Sequence, residues 1–376
     1  MRFLSIILFL AIKITAVAGE IIKVGLFTQS VISELNVSCR TGELKLTAGS
    51  GISFYTADTN VTYKCIASEN SILVYINQSK IGEFKSVTLE VSHEATCFLK
   101  PGKPDLRGNN YTGKIILNAS NNRFSIVNEV LVNEYLTGVL RGEIGFDKPP
   151  VVYEVHAIIS RTYARRFGNK HAGEGFNVCD QTHCQVFKGY FNYEPYLYSI
   201  QITEDEVMVD SASGELAEGL FHSNCGGITA NSEDVWSARL PYCRSRIDTF
   251  CLTGNHAVWS VEMPSKDFFK KINLSESNCE CDEICFYSDK REEKIKICDK
   301  VYDAITLRNL LKLKSAYFTL ECADSLVTIS GRGFGHGVGL CQEGAINMAA
   351  SCFSAEEIIR YYYKDIALRK NSESIP

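Results

Sequence analysis

Short apolar runs separated by turn residues fill residues 20–130 and predict a strand-rich N-terminal region. The predicted strands cover residues 21–26, 61–63, 72–76, 87–91, 114–119 and 124–130. Residues 120–123, between the last two runs, have the composition of a hairpin turn. Because the region offers few catalytic groups, we expect it to be a scaffold or a substrate-contact module.

The pattern becomes helical near Asn133. One short helix is predicted from there to Glu143, and a second begins at Pro150, after which apolar residues recur at steps of three and four. Residues 198–245 return to a strand-and-loop pattern. Two short helices are predicted near the end, the second at a capping box that begins with Ser354. The chain is therefore predicted to have an α+β fold.

A charge-dense stretch at about residues 265–301 predicts an exposed insertion. It carries four cysteines, which are the better disulfide candidates of the chain: Cys279, Cys281, Cys285 and Cys298.

Composition excludes several classes of protein. The 376 residues are 45% hydrophobic and 22% charged, which is an ordinary globular mixture. The formal net charge of -5 leaves no broad basic field, so we expect no nucleic-acid partner. The 15 cysteines are many for a cytosolic enzyme and favour an extracytoplasmic compartment, where disulfides form.

The first 18 residues have the pattern of a secretory signal. Arg2 precedes an apolar run, Lys13 shortens that run, and Ala16-Val17-Ala18 is a small-residue cleavage box. The alternative is an uncleaved N-terminal anchor. We expect an exported protein of the periplasm or cell envelope.

Glu143 follows Gly142 at the end of the first predicted helix, where a carboxyl group can face a cleft. Taken alone, the residue is better explained as a surface glutamate. Nearby, Cys179, His183 and Cys184 lie within six residues and can converge on one metal ion, with a fourth ligand from elsewhere. The alternative is a disulfide beside an exposed histidine.

Two later motifs suit a substrate-lining loop. His222 and Ser223 precede the Gly226-Gly227 turn, and Trp236 could form a platform for a sugar ring, although an ordinary turn and a core tryptophan explain the pattern too. The glycine-rich loop around His336 has neither a Walker spacing nor a dinucleotide-binding spacing, so phosphate cradling is unsupported.

In this order the motifs closely resemble the SpoIID/LytB family, that is, stage II sporulation protein D and its relatives. The resemblance covers about residues 127–365. It lies in Tyr135-Leu136-x-Gly138-Val139, Glu143, Ala157-x-x-x-Arg161-Thr162-Tyr163-Ala164, Cys179-Asp180-x-Thr182-His183-Cys184-Gln185-Val186-Phe187, His222-Ser223-x-x-Gly226-Gly227, Asp234-Val235-Trp236, Leu240-Pro241-Tyr242 and Gly331-Arg332-Gly333-x-Gly335-His336-Gly337-Val338-Gly339-x-x-Gln342-x-Gly344-Ala345.

The resemblance implies a peptidoglycan lytic transglycosylase. Such an enzyme cuts between N-acetylmuramic acid and N-acetylglucosamine and leaves a 1,6-anhydromuramic end, with Glu143 as acid and then base. The implied substrate is a glycan strand stripped of stem peptides, which suggests a cell-wall amidase acting upstream. The implied substrate-binding residues are Arg161, His222, Ser223, Gly226, Gly227, Trp236, His336 and Gln342.

The resemblance also implies a structural zinc ion held by Cys179, His183 and Cys184, with His171 as the less secure fourth ligand.

Two other functions remain open. Some relatives are described as non-catalytic amidase enhancers that bind the wall, and a zinc-dependent hydrolase ranks last, because no open ligand position is evident.

The predicted organisation is a signal peptide at 1–18, a strand-rich region at 19–126, a catalytic domain at 127–365 and a tail at 366–376.

The chain departs from the usual family pattern at several places. Glu154 and His156 replace the usual Lys and Gln, Cys225 and Cys341 each replace a usual Ser, and Glu343 replaces a Trp.

Overall fold

The computed structural model describes residues 19–49, 51–275, 279 and 281–370, and it confirms the α+β class with a strand-rich N-terminal region. The predicted signal segment, residues 1–18, lies outside the described residues. Among the described residues there is no helix whose length and apolar character would let it cross a bilayer.

The N-terminal region contains twelve strands within its described residues, and the strand predictions fall among them. They are β1 (Ile21–Gly25), β2 (Glu34–Thr41), β3 (Leu44–Ala48), β4 (Ile52–Thr56), β5 (Thr62–Ser68), β6 (Ser71–Ile76), β7 (Ser79–Phe84), β8 (Ser86–Val91), β9 (Thr96–Lys103), β10 (Asn109–Tyr111), β11 (Lys114–Ser120) and β12 (Arg123–Leu131).

The elements that follow alternate helices with short strands. They are α1 (Val132–Glu143), α2 (Pro150–Arg166), β13 (Val178–Cys179), α3 (Glu194–Ile202), β14 (Glu206–Asp210), β15 (Phe221–His222), β16 (Val258–Pro264), α4 (Ser265–Ile272), β17 (Lys294–Ile297), β18 (Lys300–Asp303), α5 (Ala304–Leu311), β19 (Phe318–Ala323), β20 (Leu326–Arg332), β21 (Leu340–Cys341), α6 (Gln342–Ala350), α7 (Ala355–Tyr362) and β22 (Ile366–Lys370). Short 3-10 helices lie at Ala172–Glu174, Ser232–Asp234 and Cys281–Ile284.

Two sheets of the N-terminal region enclose a shared apolar core. One has the strand order β13-β1-β12-β11-β8-β3-β4, and the other has the order β10-β9-β2-β5-β6-β7. Along β2 and β5 every second residue is buried, as expected for strands with one face on a core. The β11–β12 hairpin turns where the sequence predicts, with Ser120 opposite Arg123.

Helix α2 separates this core from a second one. Tyr153, Ala157 and Ala164 belong to the first core, whereas Ile158 and Ile159 pack with α6, α7 and β21 in the second. The helix is therefore covered on both sides, which fixes the chain segments at its two ends relative to both cores. The predicted capping box is present at α7, where Ser354 and Glu357 bond reciprocally.

The segment between β16 and β20 forms a subdomain with a third core. Phe268 and Phe269 of α4 pack there with Ile297 and Leu307, and Cys279 is disulfide-bonded to Cys298 with a Cα–Cα distance of 5.6 Å. The expected disulfide use of the region is thus confirmed for one pair. The expectation of an exposed insertion is corrected, because Phe268, Phe269 and Ile297 are buried in this core.

Three boundaries differ from the sequence prediction. Helix α3 occupies part of the stretch that was expected to be strand and loop, with Pro195 in its first turn. The predicted tail begins at residue 366, but Ile366–Lys370 form β22, which pairs antiparallel with β14. The subdomain extends beyond 265–301 on both sides, since Val258 pairs with Arg332 where β16 meets β20.

Candidate functional site

Glu143 ends helix α1, where the chain packs unusually closely against residues 185–189. A side chain at Gly142 would overlap the carbonyl group of Val186, so glycine permits the approach. As a result the Val186 N–H donates a hydrogen bond to Glu143 Oε1 at 2.6 Å. Burial raises the pKa of Glu143 above its usual range, and the Val186 hydrogen bond and the Lys188 charge offset this only in part.

Glu143 lines a cavity of about 570 Å³ whose walls come from distant parts of the chain. The lining residues are Glu143, Tyr163, Phe167, Lys170, Thr182, His183, Cys184, Gly219, Leu220, Phe221, His222, Ser223, Trp236, Arg308, Phe334, Gly335, His336 and Gln342. Of the residues predicted to bind substrate, the structure places five here: His222, Ser223, Trp236, His336 and Gln342.

Two of the three histidines that line the cavity, His222 and His336, differ in tautomer. His222 Nδ1 lies 3.1 Å from the Val338 carbonyl and so carries a proton, whereas His336 Nδ1 accepts the Val338 N–H at 3.0 Å. Burial lowers the pKa of His222 well below its usual range and that of His336 to about 4. The buried Nε2 of His222 has no hydrogen-bond partner within the described part of the chain, so it can accept a hydrogen bond from a bound molecule.

Trp236 is 41% exposed and packs against His336 with a ring-centroid distance of 5.0 Å. It is therefore a partly open aromatic face at the cavity, and the core-tryptophan alternative does not hold. Gln342, at the start of α6, approaches the Glu143 carbonyl oxygen through its Nε2 at 3.5 Å. This contact links the glycine-rich loop and α6 to the end of α1.

Arg161 was expected to bind substrate, and the structure corrects this. The side chain is buried away from the cavity and donates to the carbonyl oxygens of Thr203 at 2.8 Å, Glu206 at 3.1 Å and Ile200 at 3.3 Å. Burial lowers its pKa to about 10, so the group remains charged at neutral pH. Arg161 therefore ties the end of α3 and the start of β14 to α2.

Gly226 and Gly227 were also expected at the substrate, but neither lines the cavity. Their φ angles of 72° and 101° lie in the left-handed region. A side chain at Gly226 would overlap Arg332 and Gly333, so the turn packs behind the cavity wall against the glycine-rich loop. Glu154 and His156 likewise do not line the cavity, and His156 is fully buried.

Four side chains form a candidate metal centre beside the cavity. The donor atoms of His171, Cys179, His183 and Cys184 all lie within 4.8 Å of one another. His171 Nε2 is 3.4 Å from Cys184 Sγ, and His183 Nδ1 is 3.8 Å from Cys179 Sγ. Both cysteines are free rather than disulfide-linked, so the disulfide alternative is not what the structure contains.

The donor set fits a zinc ion. Tetrahedral zinc with bonds of about 2.0–2.3 Å separates its ligand atoms by roughly 3.4–3.8 Å, close to the distances seen here. His171 Nδ1 also contacts Glu174 Oε1 at 2.6 Å, which leaves Nε2 to face the group. His171 was the least secure of the four ligands predicted from the sequence, and the structure places it beside the other three.

Several cavity residues were not singled out as site residues in the sequence. Tyr163 belongs to the Arg-Thr-Tyr motif, and Lys170 donates to the Tyr163 hydroxyl at 3.2 Å and to the His183 carbonyl at 2.6 Å. Both residues lie far from Glu143 along the chain, so the sequence gave no sign that they line the same cavity. Arg308 comes from α5 of the subdomain, and no local pattern marks it.

Comparison with known proteins gives a match to one family model. Residues 120–210 match the model SpoIID, described as Stage II sporulation protein. The matched range contains Glu143 and the four residues of the candidate metal centre. His222, Trp236, His336 and Gln342 lie outside it.

Several relatives are similar over most of the chain. An uncharacterised protein of Brachyspira hyodysenteriae is 28% identical over 72% of this chain and 76% of its own length. Stage II sporulation protein D of Bacillus subtilis is 24% identical over 63% of this chain and 74% of its own length. An amidase enhancer of Bacillus subtilis is 25% identical over 62% of this chain, which spans 40% of that relative.

Replacing Arg161 by Gln should lower the free energy of unfolding by about 2–4 kcal/mol, because buried carbonyl groups lose a charged donor. Urea denaturation measures the change. Arg166→Gln on the same helix is the matched control, since Arg166 makes an exposed ion pair with Glu215 and should cost less than about 1 kcal/mol. Unchanged stability of Arg161→Gln, together with weaker binding of glycan strands, would restore the substrate-binding assignment.

Proposed function

We propose that this chain, which belongs to the SpoIID family, is an exported lytic transglycosylase that cleaves peptidoglycan glycan strands. The family match and the similarity to an amidase enhancer support a role in the cell wall. The reaction itself is inferred from the chemistry of the cavity.

The observation that carries the proposal is a single carboxylic acid in the cavity. Glu143 is the only Asp or Glu among the described residues that line it. Glycosidases that use water need a pair of carboxyl groups, one as acid and one as base or nucleophile. An intramolecular transfer needs one group, because the same carboxyl can donate a proton and then take one back.

The proposed reaction has two steps. Protonated Glu143 donates its proton to the glycosidic oxygen as the bond from that oxygen to C1 of N-acetylmuramic acid breaks. The resulting carboxylate accepts the proton of the C6 hydroxyl as that oxygen bonds to C1, which gives the 1,6-anhydro product without water and restores the acid. The raised pKa of Glu143 favours the protonated form that the first step requires.

The remaining cavity residues suit a sugar chain. The partly open face of Trp236 can stack on a pyranose ring, and the unpaired Nε2 of His222 can accept a hydrogen bond from a sugar hydroxyl. Glycans stripped of stem peptides remain the preferred substrate in this proposal, prepared by a cell-wall amidase. Export would follow from the signal pattern at residues 1–18.

We further propose that His171, Cys179, His183 and Cys184 hold a structural zinc ion. Four protein ligands leave no open position for a reacting water, so bound zinc would supply rigidity and not Lewis-acid chemistry. His183 and Cys184 line the cavity and Gln185 and Val186 follow them, so the ion would hold the segment that positions Glu143.

Glu143→Gln should reduce the release of anhydro-muropeptides at least about a hundredfold, because the variant cannot transfer a proton. Mass spectrometry of peptide-stripped strands digested with purified protein measures this. Glu194→Gln, at an exposed position outside the cavity, should retain full activity. If neither wild type nor variant releases anhydro ends while both stimulate an amidase, the chain is an amidase enhancer instead.

The pKa of Glu143 also predicts a pH-dependent difference in stability. The folded-state pKa lies above the unfolded value, so the favourable contribution of the protonated group is present below the unfolded pKa and lost as the pH rises through the folded pKa. Glu143→Gln stays neutral. The variant should therefore gain stability relative to wild type over that pH window, as measured by urea unfolding at a series of pH values. A difference independent of pH would contradict the raised pKa.

A variant that combines His183→Ala and Cys184→Ser should contain about one zinc ion fewer per chain than wild type. Elemental analysis of purified protein measures the content, and His93→Ala, at an exposed histidine outside the group, is the control. An unchanged zinc content, with Cys179 and Cys184 joined in a disulfide in the wild-type protein, would rule out the site.

A further inference from the structure

A second group of metal-binding side chains lies in the core between β15, β21 and α7. Cys225, Asp248, Cys251 and Cys341 are all fully buried. One donor atom from each lies within 4.8 Å of the other three. None of the four lines the cavity, and none belongs to the group around His183.

The spacing of the donor atoms matches the size of one metal ion. Cys225 Sγ lies 3.3 Å from Cys251 Sγ and 3.2 Å from Asp248 Oδ2. Tetrahedral zinc with Zn–S bonds of about 2.3 Å places its sulfur ligands roughly 3.8 Å apart. Shifts of a few tenths of an ångström would therefore complete the coordination.

Backbone and side-chain donors already surround the group on its outer side. The N–H groups of Cys225 and Gly227 point at Cys341 Sγ and Cys251 Sγ, each at 3.3 Å. Asp248 accepts from the Tyr362 hydroxyl and from the Phe250 N–H, each at 3.0 Å. Outer hydrogen bonds of this kind orient metal ligands and stabilise thiolates.

One buried cation lies beside the group but does not pair with its carboxylate. The Arg291 guanidinium donates to the carbonyl oxygens of Cys225 at 2.6 Å and Ile228 at 2.9 Å, and its charge acts on the three sulfurs. Asp248 makes no ion pair with a basic side chain in the parts of the chain that the structure describes. A buried carboxylate without a cation is costly. Three sulfurs cannot be paired by one disulfide either, because a Cys225–Cys251 bond would leave Cys341 and Asp248 in the same apolar core.

We propose that Cys225, Cys251, Cys341 and Asp248 bind a second structural zinc ion. Sulfur ligands with one carboxylate oxygen suit zinc, and binding would release the thiol protons. The ion would join three segments at the back of the cavity wall. Cys225 lies two residues after Ser223, and Cys341 directly precedes Gln342, so both cavity residues would be fixed from behind. Zinc binding here does not require that the proposed reaction takes place.

Metal content of the full chain, purified from an exporting host without reducing agent, tests the proposal. Wild type should contain about two zinc ions, and Cys341→Ser about one. Cys243→Ser is the matched control, since Cys243 is a free, fully buried cysteine of the same core outside the group, and it should keep both ions. A wild-type content of about one that Cys341→Ser leaves unchanged would overturn the site.

A second measurement keeps the proposal testable if Cys341→Ser does not fold. The variant with His183→Ala and Cys184→Ser retains only the second site, and zinc X-ray absorption should then report about three sulfur ligands. Two sulfur ligands or no zinc would overturn the assignment. The assignment would also be overturned if wild-type protein, as purified, contained no zinc and peptide mapping found a Cys225–Cys251 disulfide.

Discussion

The close packing of residues 185–189 on helix α1 is the constraint on which the site depends. Gly138 and Gly142 lack the side chains that would block this approach, and the Lys188 N–H donates to the Gly138 carbonyl at 3.2 Å. The Val186 N–H is thereby aimed at the Glu143 carboxyl. The same segment continues from His183 and Cys184. Residues 183–186 therefore join two residues of the candidate metal centre to the N–H group that bonds Glu143.

The opposite wall of the cavity is held in another way. His222 and Ser223 lie at the end of β15, and Gln342 begins α6 directly after β21, which pairs parallel with β15. Their backbone positions depend on the Gly226-Gly227 turn and on the cysteines around Asp248. Helix α2 lies between the two cores and packs side chains into both.

Local features were predictable from the sequence, whereas their neighbours in space were not. Helices α1 and α2, the β11–β12 hairpin and the Ser354 cap follow from short-range patterns. Arg161 was misassigned because a motif does not reveal whether a charged side chain meets a ligand or buried carbonyl groups. Cys225 and Cys341 stood out as two separate departures from a family pattern, and only the fold brings them to Asp248 and Cys251. Arg308 carries no local signal at all.

The subdomain enters and leaves the fold at one point, because Val258 and Arg332 are paired neighbours. A chain segment with adjacent ends can lengthen, shorten or be exchanged without shifting the elements that hold Glu143. Through Arg308 the same segment contributes to the cavity wall. The architecture therefore separates the elements that hold Glu143 from a module that is free to diversify and that can change one wall of the cavity.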